Sequence, residues 1–120
     1  MTADVSLDRD TAESYARWFH ALSDPNRVMI VHFLAHQAEP VPAGAIVEHL
    51  GISQPTVSHH LKILYQVRFV TRRRRGTSIL YAVNKGCDVG LPTAADVVLG
   101  RLPTPESRTA RERHTSPAQP

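Results

Sequence analysis

Between residues 53 and 62 the chain gathers short polar side chains and a single cation: Ser53, Gln54, Thr56, Ser58, His59 and Lys62. Ten residues further on stands an unbroken run, Arg72-Arg73-Arg74-Arg75. Hydroxyl, amide and imidazole groups donate and accept hydrogen bonds at base edges, whereas Lys and Arg neutralise phosphates. The charge around them is segregated. Residues 1–48 hold three basic and seven acidic side chains; residues 49–87 hold seven basic and none acidic; residues 88–120 hold four of each. A 39-residue stretch without a carboxylate is an electrostatic footprint for a polyanion such as double-stranded DNA. The competing reading of the same residues is an ordinary solvated face.

Other chemistry is sparse. His32 and His36 stand four apart, a spacing that can chelate a metal from one helix face, with Glu39 near in sequence; they are weak candidates, because such pairs are more often surface or core residues. The one cysteine, Cys87, excludes an internal disulfide and a CxxC site. No glycine-rich phosphate loop, nucleophile motif or paired carboxylates are present, so no enzyme is expected. No resident cofactor is expected either. The absence of a long apolar run and of a signal-peptide pattern points to a cytoplasmic protein without membrane contact.

These residues need elements to position them. With 120 residues, 42% of them hydrophobic, the chain has material for one modest core and would gain from a partner subunit. A first helix is expected from Asp10 to Leu22, with Asp10 as cap and Tyr15, Trp18, Phe19 and Leu22 on one apolar stripe. Asp24-Pro25 opens a second helix reaching His36. The prolines of Glu39-Pro40-Val41-Pro42 mark a loop. A third helix, Ala43 to Leu50, stops at Gly51, and Ser53 caps a fourth from Gln54 to Gln66, so that helix, short turn and helix form a helix-turn-helix. On the fourth helix Val57, Leu61 and Leu64 line one side; His59, Lys62 and Gln66 lie opposite, flanked by Thr56 and Ser58. His60 points partly inward. Arg68–Arg73 and Thr77–Val83 read as strands around a tip at Arg74-Arg75-Gly76. A lone hairpin is marginal in water, so it must lie against the helices as a wing. Pro92 to Leu102 is expected to form a last short helix. Residues 103–120, with four prolines and no aromatic residue, read as a disordered tail beyond a single domain at 1–102.

Three segments together resemble ArsR-type (ArsR/SmtB) winged helix-turn-helix transcriptional regulators. Ala21 to Arg27 resembles the start of their second helix, Ser53 to Leu64 their recognition helix, and Arg72 to Val83, with Gly76 and Tyr81, their wing. The resemblance covers Ala12 to Val83. It implies a mainly α winged-helix homodimer, paired through its first and last helices, that represses from a palindromic operator until a small inducer releases it. Tyr15, Trp18, Phe19, Val98 and Leu102 would then form the dimer interface.

The inducer is where the pattern breaks. The family's thiolate metal box would fall on Pro42 and Gly44, neither of which can ligate, and the last-helix region offers Asp88 and Asp96 but no His. A metal sensor using His32, His36, Cys87 or His114 stays an alternative, as does a protein-interaction module that no longer binds DNA. Arg68 replaces the glycine most relatives carry after the recognition helix. It is strained if the left-handed turn is kept, and favourable to the helix C-terminus if it is not.

Overall fold

The computed structural model describes residues 6–85 and 94–103. The chain order is α1 (Arg9–Ala21), α2 (Pro25–Ala35), β1 (Val41–Pro42), α3 (Ala43–Leu50), α4 (Gln54–Gln66), β2 (Val70–Arg75) and β3 (Ser78–Val83). Residues 94–98 add one further helical turn within the expected last helix. Cys87, His114 and all but the first residue of the expected tail lie outside the described residues.

Local sequence explains most element ends. Asp24 caps α2, its Oδ1 accepting from the N–H groups of Asn26 and Arg27, with Pro25 at the first helical position where no N–H is needed. Gly51 closes α3 at φ 73°, and Ser53 caps α4 two residues later. One cap differs from expectation. Asp8, not Asp10, caps α1, because Asp8 Oδ2 receives both the N–H and the hydroxyl of Thr11, at 3.1 and 2.9 Å. Thr11 is fully buried, which makes that pairing compulsory, and Glu13 is left to pair with Arg9.

The sheet brings two further corrections. The expected loop at Val41-Pro42 is strand β1, pairing antiparallel with β3 through Val41↔Tyr81 and Pro42↔Leu80. The sheet order β1-β3-β2 puts β1 at an edge, where a proline's missing N–H is tolerated. The hairpin tip is Gly76-Thr77 rather than Arg74-Arg75-Gly76, since Arg75 pairs with Ser78. A two-residue loop with glycine first, here at φ 62°, suits the twist of the flanking strands and leaves all four arginines in β2.

The core forms where α1 to α4 meet the base of the hairpin. Ile30, Leu34, Ile46, Val57, Leu61, Leu64, Phe69 and Val70 are buried together, with Trp18 and Tyr81 packed against them. The inner face of α4 is the one expected from its spacing, and the hairpin is held as a wing.

Between α4 and β2 the chain turns through Arg68, at φ 68°. The left-handed geometry is kept, and Arg68 N–H donates to the Tyr65 carbonyl at 3.0 Å while Phe69 N–H donates to Leu64. The Arg68 guanidinium, 5.4 Å from the Tyr65 ring centroid, offsets part of the backbone cost. The cost of the left-handed region for a residue with a Cβ is about 1–2 kcal/mol. Replacing Arg68 by Gly is therefore expected to raise stability by up to about 1 kcal/mol, read as a higher melting temperature; a lower one would mean the side chain outweighs the strain.

Candidate nucleic-acid interface

Every residue assigned to the polar face, Ser53, Gln54, Thr56, Ser58, His59 and Lys62, is exposed on α4 or at its cap. They do not all stand equally available. The Ser53 hydroxyl accepts from Thr56 N–H and lies 2.8 Å from Thr56 Oγ1, so both hydroxyls are engaged in capping. Gln54, Ser58, His59 and Lys62 carry the outward face.

Arg72 to Arg75 are exposed, and strand alternation divides them. Arg72 and Arg74 share the strand face of buried Val70, and Arg73 and Arg75 share the other. Arg72 does not simply project into solvent. Its guanidinium lies over the Tyr65 ring, 4.5 Å from the centroid. Lys62, Tyr65 and Arg72 line one groove of about 440 Å³ between α4 and the wing, floored by Leu61 and Tyr81 and edged by Ser58.

The back of α4 is fixed by a polar cluster that helix spacing alone does not assemble. Arg27, buried on α2, donates from Nε to the Ala21 carbonyl at 2.6 Å, from Nη2 to the His20 carbonyl at 3.5 Å, and from Nη1 to His60 Nδ1 at 3.1 Å. Guanidinium has no acceptor, so His60 Nδ1 must accept, and His60 is the neutral tautomer with its proton on Nε2. That Nε2 faces Asp24 Oδ1 at 4.0 Å. Burial lowers the His60 pKa below its ordinary value; the Asp24 carboxylate pulls it back up, while Arg27 and His59 add to the lowering. For Asp24, desolvation acts to raise the pKa, but the N–H groups of Asn26 and Arg27, helped by His60 and Arg27 charge, hold it below the usual value. The inward tilt of His60 was legible from helix spacing. Its partner was not, because Arg27 stands 33 residues away.

The aromatic stripe of α1 is shared between two environments. Tyr15 is buried in its own protomer, its ring 5.8 Å from that of Trp18, and Trp18 in turn lies 6.5 Å from Phe69. Phe19, Val98 and Leu102 are exposed, at 39%, 53% and 42%, and so remain available to a partner.

The metal-ligating patterns find little support in the side chains. Pro42 sits in β1 and Gly44 in α3, without donor atoms, and Asp96 is paired with Arg101 at 3.6 Å. The His32 and His36 rings meet in a tilted contact, 4.3 Å between centroids, and His36 Nδ1 donates to the His32 carbonyl. Among the described residues no three His, Cys, Asp or Glu side chains come together. At the two thiolate positions, therefore, no ligating side chain is present.

A helix-turn-helix whose second helix is backed by a hydrophobic core and flanked by a cationic hairpin defines the winged-helix class. Residues 22–73 match a family profile described as a helix-turn-helix domain. Over 66 residues the chain is 42% identical to the transcriptional repressor SdpR of Bacillus subtilis, a match covering 55% of this chain and 71% of that protein. Over 87 residues it is 38% identical to a probable mercury resistance operon repressor of Streptomyces lividans, covering 72% of this chain but 63% of that relative. The solution structure of a homodimeric winged helix-turn-helix DNA-binding domain from Mycobacterium bovis, described as a possible ArsR-family transcriptional regulator, superposes with a TM-score of 0.60 at 27% identity over 95% of each chain. The chain belongs to the ArsR-type winged helix-turn-helix transcriptional regulators.

The Arg27–His60 contact makes stability depend on pH. Between the ordinary histidine value of 6.5 and the lowered folded value, the unfolded chain binds a proton that the folded chain does not. The contribution is complete above pH 6.5 and is lost as pH falls through the folded pKa. Asp24 adds its own loss only near its ordinary value of 3.8 and below. Urea unfolding at pH 8 and pH 5.5 is expected to show a drop in the wild type that shrinks in His60→Gln, whose amide oxygen can still accept from Arg27; an equal drop in both would assign the effect elsewhere.

Proposed function

We propose that this chain is a sequence-specific repressor that binds a palindromic DNA operator as a homodimer and is released by a small inducer. The observation that carries the reading is the surface made jointly by α4 and the wing. It presents Gln54, Ser58, His59, Lys62 and, on the two faces of the wing strand, the four β2 arginines, all exposed, within the sequence stretch that holds no carboxylate. Repression is supported by the relatives, which are named as repressors, and dimerisation by the homodimeric Mycobacterium bovis domain and the exposed Phe19, Val98 and Leu102. A two-fold dimer would set its two α4 helices in successive major grooves, about 34 Å apart. We place the protein in the cytoplasm, where DNA is available; no helix of the described residues is long and apolar enough to cross a membrane. No catalytic role is proposed.

Reading and positioning fall to different residues. Ser58→Ala or His59→Ala is expected to narrow the preference for operator over random DNA by about 1–3 kcal/mol, the worth of a hydrogen-bonded base. Arg73→Ala with Arg75→Ala should weaken both DNAs alike and flatten the salt dependence by about 0.9 in log K per log salt for each phosphate no longer neutralised. Competition binding measured across a salt series tests both. An intact specificity ratio in the helix variants, with an intact slope in the wing variant, would remove this surface from DNA.

The inducer is proposed to be other than a metal held in either familiar box, because Pro42 and Gly44 offer no ligand and the last-helix region carries Asp88 and Asp96 without a His. Operator binding is expected to survive near-stoichiometric zinc, cadmium, nickel or arsenite. Release by one of these ions, abolished in His32→Ala, His36→Ala, would make the α2 histidines ligands instead.

A further inference from the structure

Tyr65 belongs to neither half of the DNA reading given above, yet it stands where the two halves meet. It is half-buried on α4, three residues beyond Lys62 and seven beyond Ser58, so the three follow one stripe of the helix. That stripe forms the helix side of the groove beside the wing. On the opposite wall Arg72 projects from β2, opposite Tyr81 in the hairpin register, and lays its guanidinium on the Tyr65 ring at 4.5 Å. Among the described residues no carboxylate lines the groove, so none of them neutralises Lys62 or Arg72 there. A planar guanidinium stacked on a ring keeps its outer N–H donors free while losing rotamer freedom in advance of binding. An arginine left to swing from a strand would lose that freedom only when it met its ligand.

We propose that Tyr65 is a positioning residue that holds Arg72 beside Lys62, so that the recognition helix and the wing grip the DNA phosphodiester backbone as one clamp. The inference rests on the DNA-binding reading and adds to it a division among the arginines. Arg72 is the pre-set member, fixed relative to α4, whereas Arg73, on the opposite face of the strand, is not held by this ring. The aromatic face is what matters, not the phenol, because the cation sits over the ring.

The test is a double-mutant cycle read by fluorescence anisotropy on two labelled duplexes, the DNA upstream of the protein's own coding sequence and a scrambled duplex of equal length, each over a salt series. Arg72→Ala is expected to lower the slope of log K against log salt by about 0.9 per protomer on both duplexes, the signature of one phosphate no longer neutralised. Tyr65→Leu, which changes no charge, is expected to lower it in the same direction. The double variant should match the single ones, and Tyr65→Phe should match the wild type. A merely structural Tyr65 would lower the melting temperature while leaving the slope in place. Independent, additive losses, or an unchanged slope in Arg72→Ala, overturn the clamp while leaving DNA binding by the rest of the surface intact. A wild type that binds neither duplex overturns the DNA reading itself and the clamp with it. Should Tyr65→Leu fail to fold, Arg72→Lys decides: it keeps the charge but not the planar stacking group, and is expected to weaken both duplexes, whereas wild-type binding by Arg72→Lys overturns the proposal.

Discussion

The guanidinium of Arg27 sits where three helices converge, and the placement of α4 depends on what that buried cation is given. It has three acceptors: the Ala21 and His20 carbonyls at the C-terminal end of α1, and the neutral Nδ1 of His60 on α4. The end of a helix carries the partial negative charge of its unpaired carbonyls, so α1 supplies much of what a carboxylate would otherwise supply. Asp24, held as a carboxylate by its capping bonds, adds charge from the start of α2. Removing any one partner strands a charged donor in a place water reaches poorly, a situation far costlier than the net worth of the bond. The cluster therefore couples the helix that carries the exposed Phe19 to the helix that carries the exposed polar face.

That coupling lets α4 be two-sided. Val57, Leu61 and Leu64 commit one side to the core, and His60 adds a polar anchor at its edge. The opposite side is free to be chosen for chemistry rather than packing, and it carries amide, hydroxyl, imidazole and ammonium groups without an acid among them. The wing extends the same surface, with β3 holding β2 in register and β1 tying the hairpin back to the start of α3. A hairpin of this length would not hold by itself; Phe69 and Val70, buried in the core, anchor its base.

The departures from the family's pattern fall at the thiolate positions and at the turn between α4 and the wing. Residues at the thiolate box positions serve the backbone instead: Pro42 as an edge-strand residue and Gly44 inside α3. Arg68 takes the left-handed conformation that glycine would take more cheaply, and its side chain and Arg72 both lie near the Tyr65 ring. The recognition helix and wing keep the composition a polyanion asks for, while the thiolate positions carry Pro42 and Gly44, which have no ligating side chain.

The helices, the turn at Gly51, the inner and outer faces of α4 and the cationic stretch were legible in the sequence, because each is a local property. Caps lie within three residues of what they cap, helix faces repeat every three or four, and charge is counted directly. The left-handed turn at Arg68 was legible as one of two outcomes. The misplaced features were those that local rules leave degenerate. Asp8 and Asp10 are equally good caps until Thr11 is buried, a loop rich in proline cannot show that Tyr81 will pair with its Val41, and a row of four arginines does not say where the hairpin turns. Tertiary structure alone joined Arg27 to His60 across 33 residues, set Arg72 on Tyr65, and sent Tyr15 into the core while leaving Phe19 exposed. These are meetings between side chains far apart in the chain, and they are decided by which surfaces pack, information that no local spacing contains.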